Sequence, residues 1–93
     1  MSPLQLAEAL AWHGIHVNGA IDGTDQRDGN VSIADLVYVQ VPTFGGPPRV
    51  IVDSYETDVR CYPPRLSVAD LASDIRDAVN RHAPPSLASC SIH

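Results

Sequence analysis

The chain has 93 residues and a net charge of -5, from 6 basic and 11 acidic residues, and this length allows one domain and hardly a second. No apolar run approaches the roughly 20 residues needed to cross a membrane. The acidic balance argues against binding of a nucleic-acid backbone, which requires clustered positive charge. A domain this small buries only about 60% of its unfolded surface, so association with other chains would stabilise it.

The first predicted element is a helix over residues 3–13. Ser2 fits the N-cap, Pro3 fits the first helical position, and Gln5 completes a capping box. Apolar residues then recur at helical spacing, at Leu4, Leu6, Ala7, Leu10 and Ala11. Gly14 is expected to end the helix in a left-handed conformation. Trp12, near the end of the helix, is expected to lie in the core.

Turn-forming dipeptides dominate the next segment of the chain. Asn18-Gly19, Asp22-Gly23 and Asp28-Gly29 are each typical of tight turns. Their close succession predicts one long loop over residues 18–30, preceded by a short extended piece at 15–17.

Three strands are predicted in the middle of the chain. The first covers residues 36–41, which are β-branched and aromatic. The second covers 49–55 and the third 59–62, and a single bent strand over 50–62 is the alternative. Pro-rich segments end the first and third strands because proline cannot donate to a sheet ladder.

The strongest periodicity in the sequence predicts a second helix that begins at Ser67. Asp70 follows three residues later, as in a capped helix start. The apolar face comprises Val68, Leu71, Ala72, Ile75 and Val79. Asp77 and Arg81 are spaced for an ion pair on the opposite face. Pro84 and Pro85 are expected to end the helix.

These elements predict an α+β fold in which two helices flank a small three-stranded antiparallel sheet, in the order α-β-β-β-α. Residues 1–85 are expected to form this single domain. The small and polar residues 86–93 are expected to form a flexible C-terminal tail.

No motif in the sequence indicates catalysis, a cofactor or a metal. Cys61 and Cys90 lack the spacing of a zinc site and are interpreted as reduced thiols. His13 and His16 have no accompanying Glu, and no serine lies in a nucleophile motif. The chain is therefore predicted not to be an enzyme.

One segment resembles the second half of a calcium-binding loop of the EF-hand or dockerin kind. When Asp35 is counted as position 12, Gly29 falls at position 6, where such loops turn sharply. Thr24 and Gln26, however, stand at positions 1 and 3, which require carboxylate or amide oxygens. A polar turn is the favoured interpretation, and a degenerate calcium module is the alternative.

Phe44 is the aromatic residue with the least obvious place in the fold. It stands in a Pro/Gly-rich loop, where no strand or helix face can bury it. Either the loop folds back over Phe44, or Phe44 packs into another chain. Arg49 lies nearby, and aromatic residues and Arg are enriched at protein interfaces.

Residues 36–83 resemble the tail-terminator, or tail-completion, proteins of siphophages and related prophages. The features that carry the resemblance are a strand running into a Pro/Gly-rich loop, the Arg49–Val52 strand, and the strand and turn from Asp58 to Pro63. The Ala/Asp/Arg-rich helix from Ser67 to Val79 follows. Members of this family usually continue into further strands after that helix, whereas here Pro84 and Pro85 follow.

The resemblance implies a virion structural protein that is assembled in the host cytoplasm. Such a protein forms a ring at the tail end or head–tail junction, by contacts with other copies and with other virion proteins. Under this interpretation the interface residues are Phe44, Arg49, Tyr55 and Tyr62. The family supplies no catalytic residues.

A small acidic inhibitor or adaptor of a mobile element is the alternative function. Such a protein would bind a host complex that itself binds nucleic acid, with carboxylates in the place of phosphates. The candidate residues are Asp53, Glu56, Asp58, Asp70, Asp74 and Asp77.

Overall fold

The computed structural model describes residues 2–34, 36–53, 59–62 and 67–81. These residues form two helices and an antiparallel sheet of five strands. In chain order the elements are α1 (Pro3–Trp12), β1 (Gly19–Ile21), β2 (Gly29–Ala34), β3 (Val37–Val41), β4 (Arg49–Asp53), β5 (Val59–Cys61) and α2 (Val68–Arg81).

The α+β class with an antiparallel sheet is confirmed, but the predicted number of strands is wrong. β1 and the first two residues of β2 fall within residues 18–30, for which the sequence predicts one long loop. Their pairing starts from Ile21 opposite Asn30, so the turn dipeptides separate two strands instead of forming one continuous loop. The element order is therefore α-β-β-β-β-β-α. The three predicted strands correspond to β3, β4 and β5.

The sheet is a simple meander in which each strand pairs with the next along the chain. Val31, Val39 and Val50 stand side by side in the register of β2, β3 and β4. All three are buried, and they form the centre of the core. Because side chains alternate along a strand, this register directs the three valines to the same side of the sheet, which is its apolar face.

Both helices cover the apolar face of the sheet. α1 packs on β1 and β2, whereas α2 packs on β3 and β4 and also contacts α1. The fully buried helix side chains that meet the valines of the sheet are Leu6, Leu10, Leu71 and Ile75. The opposite face, called the open face here, carries no helix among the described residues.

The start of α1 has the predicted capping box. Ser2 Oγ accepts a hydrogen bond from Gln5 N at 3.2 Å, and Gln5 Oε1 accepts one from Ser2 N at 2.9 Å. These two bonds satisfy backbone donors that a helix start leaves unpaired. Gly14 follows the helix with φ of 81°, as expected for a left-handed cap.

The predicted core position of Trp12 is wrong, because its side chain is 90% exposed. The buried face of α1 comprises Pro3, Leu6, Ala7 and Leu10. Trp12 follows Leu10 by two residues, which places it about 200° around the helix axis. It therefore points away from the sheet.

α2 begins with the predicted cap and is tied to the end of α1. Asp70 N donates to Ser67 Oγ at 3.1 Å. Arg76 Nη2 donates to the backbone oxygen of His13, at the C-terminal end of α1, where a cation also complements the helix dipole. The predicted pair of Asp77 and Arg81 is present at 3.2 Å on the exposed side.

β2 contains a bulge near its end. The register passes from Ser32 opposite Tyr38 to Ala34 opposite Val37, so Ile33 is an extra residue. Asn18 supports this irregularity because its side-chain Nδ2 donates to Ile33 O at 3.0 Å. Its backbone N also donates to Ser32 O at 2.8 Å.

Several predictions concern residues outside the described ones. These are the domain limit at residue 85, the tail at 86–93, the thiol of Cys90 and the interface role of Tyr55. Within the described ranges, neither helix is long and apolar enough to cross a bilayer.

Candidate protein interface

Two loops meet at one end of the sheet, called the loop end here. They are the β1–β2 loop (residues 22–28) and the β3–β4 loop (residues 42–48). Thr43 joins them, because its backbone N donates to Asp28 Oδ1 at 3.1 Å. Its hydroxyl Oγ1 also donates to Arg27 O at 2.9 Å. The base of the β3–β4 loop is therefore fixed against its neighbour.

Phe44 follows directly after this fixed position and is 83% exposed. Its side chain therefore does not fold back onto the described part of the chain. Gly45 and Gly46, with φ of 98° and 116°, turn the loop immediately after Phe44. Of the two alternatives for Phe44, folding back of the loop over its side chain is not found, and packing into another chain stays a prediction.

Arg49 begins β4 and stands opposite Gln40 on the open face. Its neighbour Val50 points into the core, so the alternation of the strand directs Arg49 away from the helices. Arg49 is exposed, and it forms no ion pair with another residue of the described ranges. Phe44 and Arg49 thus supply an aromatic group and a cation near the loop end.

Tyr62 stands opposite Val50, toward the loop end of the sheet, but its side chain is less exposed than that of Phe44. It is half-buried and packs against the hydrophobic core. Its backbone N donates to Val50 O at 3.0 Å, which extends the pairing of β4 beyond β5. Part of the Tyr62 side chain therefore stabilises the fold, and its interface role stays a prediction.

The segment that resembles a calcium loop has a different geometry. Thr24 N donates to Arg27 O at 2.8 Å, which closes a tight turn over the first four positions of the loop. Residues 29–34 then form strand β2 instead of wrapping around an ion. Within the described ranges, no group of three or more His, Cys, Asp or Glu side chains is placed to hold a metal.

A groove of about 390 Å³ lies at the end of the sheet opposite the loops. Its floor is apolar and includes Ile15, Ile33 and Ile75, whereas His16 and Arg76 stand at its margin. The guanidinium of Arg76 already binds the carbonyl of His13. Among the described residues, the groove therefore shows no convergent set of polar groups of the kind that fixes a substrate.

The acidic residues of the alternative function are only partly assembled on one face. Asp70, Asp74 and Asp77 follow helical spacing along one side of α2. Asp70 and Asp77 are exposed, and Asp77 is engaged by Arg81 at 3.2 Å. Asp53 is half-buried at the end of β4, while Glu56 and Asp58 lie outside the described residues.

The structure also exposes apolar residues that the sequence did not predict to be exposed, among them Leu4, which was assigned to the apolar face of the first helix. Trp12 is 90% exposed and Leu4 is 61% exposed, both on the outer side of α1. Ile21 is 56% exposed at the end of β1. The exposure of Leu4 and Trp12 could have been predicted from their spacing. Each lies two residues from a buried leucine, Leu6 or Leu10, and residues two apart on a helix face opposite sides.

Comparisons with known proteins add no relative from which a function could be transferred. No protein-family model matches the chain, and neither curated proteins nor solved structures give a significant match.

Proposed function

We propose that this protein is a structural subunit of a tailed-phage virion. It forms a ring at the tail end or head–tail junction, in contact with further copies and with other virion proteins, and it carries out no catalysis. The sequence resemblance over residues 36–83 supports the choice of virion protein. The exposed position of Phe44 supports action by contact between proteins.

Phe44 carries this proposal because it combines exposure with a fixed position. An aromatic side chain that is 83% exposed leaves a large apolar area in water. Thr43, the preceding residue, is held by two hydrogen bonds to the β1–β2 loop. Docking of Phe44 into a partner would therefore order little additional backbone, which lowers the entropy cost of association.

The charge of the protein also supports a place in the tail. The net charge is -5. An acidic lining repels the DNA backbone, so DNA would pass through such a ring without adhering to it.

The oligomeric state of the purified full chain tests the contact part of the proposal. Multi-angle light scattering is expected to show a closed oligomer, and Phe44→Ala is expected to shift it toward the monomer. Ile21→Ala is the matched control, because it removes another exposed apolar side chain near the loop end. A wild-type chain that stays monomeric, or an oligomer that Phe44→Ala leaves intact, would contradict the proposal.

Purified particles test the virion part of the proposal. Phage particles induced from the strain that carries the gene are separated on a density gradient, and each fraction is probed with antiserum against this chain. The chain is expected in the particle fraction. Its confinement to the soluble fraction would contradict a virion role.

The inhibitor function has one observation in its favour, the row of Asp70, Asp74 and Asp77 on α2. It predicts a monomer or dimer that binds a basic partner, with an affinity that falls steeply as salt rises. That result, obtained together with a lack of self-assembly, would replace the virion proposal.

A further inference from the structure

We propose that Phe44 and Arg49 of one copy dock onto the outer side of α1 in a second copy. This inference rests on the proposed function, and it names the partner of the Phe44 site. The two surfaces are called the loop patch, formed by Phe44 and Arg49, and the helix groove, formed by Glu8, Ala11 and Trp12.

The helix groove is a shallow, open surface on the outer side of α1 that carries an exposed aromatic ring. It measures about 400 Å³ and is lined by Glu8, Ala11 and Trp12. Trp12 is 90% exposed there, and Leu4 continues the same side of the helix about two turns earlier. A helix that is apolar on both sides is typical of one that is buried on both sides.

The two surfaces complement each other in charge as well as in apolar character. The loop patch carries the cation of Arg49 directly after the loop that contains Phe44, and the helix groove carries the carboxylate of Glu8 one helical turn before Trp12. Neither Glu8 nor Arg49 has an ion-pair partner among the described residues. Contact of Phe44 with the Trp12 ring would bring together the residue types that interfaces enrich most.

A single copy cannot make this contact with itself. Arg49 points from the open face of the sheet, whereas α1 lies on the opposite, apolar face. The sheet and its core separate the two surfaces. The groove of one copy is therefore available only to the loop patch of another.

Contact between two loop patches, or between two helix grooves, is less favourable than contact between a loop patch and a helix groove. Leu4 and Trp12 each stand four residues from Glu8, so a twofold helix pair that stacks Trp12 on Leu4 would bring two Glu8 carboxylates together. Two loop patches would bring two Arg49 side chains together. Pairing of unlike surfaces avoids both repulsions, and it generates rings when the rotation between copies closes.

Mixing two variants tests this contact directly. Phe44→Ala destroys the loop patch and Trp12→Ala destroys the helix groove, and each is expected to be monomeric alone. An equimolar mixture retains one intact patch and one intact groove, so it is expected to form a dimer that cannot extend. The double variant F44A/W12A is the control and is expected to remain monomeric in every mixture.

The outcomes separate this inference from the proposed function. A wild-type monomer would overturn both. An oligomer that needs Phe44 but tolerates Trp12→Ala, or a mixture of the two variants that stays monomeric, would overturn only the docking of the loop patch on α1. Unchanged urea midpoints show that the variants are folded, which is expected because both side chains are exposed.

A charge exchange gives a second and independent measurement. Glu8→Arg and Arg49→Glu are each expected to weaken self-association by about tenfold or more, because each places like charges across the contact. The double exchange E8R/R49E restores opposite charges and is expected to recover most of the affinity. Additive losses in the double exchange would contradict the pairing of Glu8 with Arg49.

Discussion

Pro3, at the first position of α1, packs directly against the backbone of Gly29 at the first position of β2. A Cβ atom on residue 29 would lie 2.6 Å from Pro3 Cγ and 2.7 Å from Ile21 O. It would also lie 2.8 Å from Gly23 N. The absence of a side chain at Gly29 therefore lets the start of the helix and the β1–β2 loop come together.

Gly29→Ala is expected to destabilise the protein by about 2–3 kcal/mol, because the new methyl group meets backbone atoms that cannot move independently. Gly19→Ala is the matched control. Residue 19 also lies in the sheet, but nothing lies within 4 Å of its ideal Cβ. That variant is expected to be neutral or stabilising by about 0.5 kcal/mol. Equal urea midpoints for the two variants would contradict the close packing at Gly29.

Asn18 is expected to stabilise the bulge of β2 through its side-chain amide. Asn18→Ala removes the bond from Nδ2 to Ile33 O and is expected to cost about 1 kcal/mol in the free energy of unfolding. Asn18→Asp keeps the size of the side chain but turns an oxygen toward that carbonyl, so a larger loss is expected. Urea denaturation measures both, and an aspartate variant as stable as the wild type would refute this role.

Thr43 is expected to couple the two loops through its hydroxyl group. Thr43→Val removes the bond from Oγ1 to Arg27 O and is expected to cost about 1 kcal/mol. Thr43→Ser keeps the hydroxyl and serves as the control. Hydrogen exchange at the Thr43 amide, which donates to Asp28, is expected to accelerate in the valine variant only.

Arg76 is expected to contribute more to stability than Arg81, although both are exposed arginines on α2. Arg76→Met removes the bond to His13 O that joins the two helices, at an expected cost of about 1 kcal/mol. Arg81→Met removes only a pair within one helix, at an expected cost of about 0.3 kcal/mol. Thermal unfolding of both variants measures the difference, and a reversed order would argue against the link between the helices.

Both helices could be predicted from the sequence because their signals are local. The capping box of Ser2 and Gln5 and the hydroxyl cap of Ser67 act within one helical turn. The apolar spacing of α2 then identified Leu71 and Ile75, which are fully buried. These features depend on a few neighbouring residues, so no knowledge of the rest of the fold was needed.

β1 and β2 could not be recognised in the same way. Gly19, Gly29 and Asn30 are poor strand formers, and they occupy strand positions because long-range pairing holds them there. Val31 and Ile33 do alternate with smaller residues, and this alternation was the one feature that could have indicated a strand. The turn dipeptides on either side concealed it.

The candidate interface was predictable only in part. The position of Phe44 in a Pro/Gly-rich loop left two alternatives, burial under its own loop or contact with another chain, and its exposure argues against the first. Trp12 was misplaced because its size suggested burial, whereas its angle around α1 determines its exposure. The helix groove therefore became visible only in three dimensions.

In the part of the chain that the structure describes, the two outermost strands of the sheet, β1 and β5, each have three residues. Such short edge strands expose few unpaired amide and carbonyl groups. Gly19 further weakens β1 as a template for another strand. A foreign strand would gain little by extending this sheet. The fold thus discourages uncontrolled fibrillar stacking and leaves recognition between molecules to side chains.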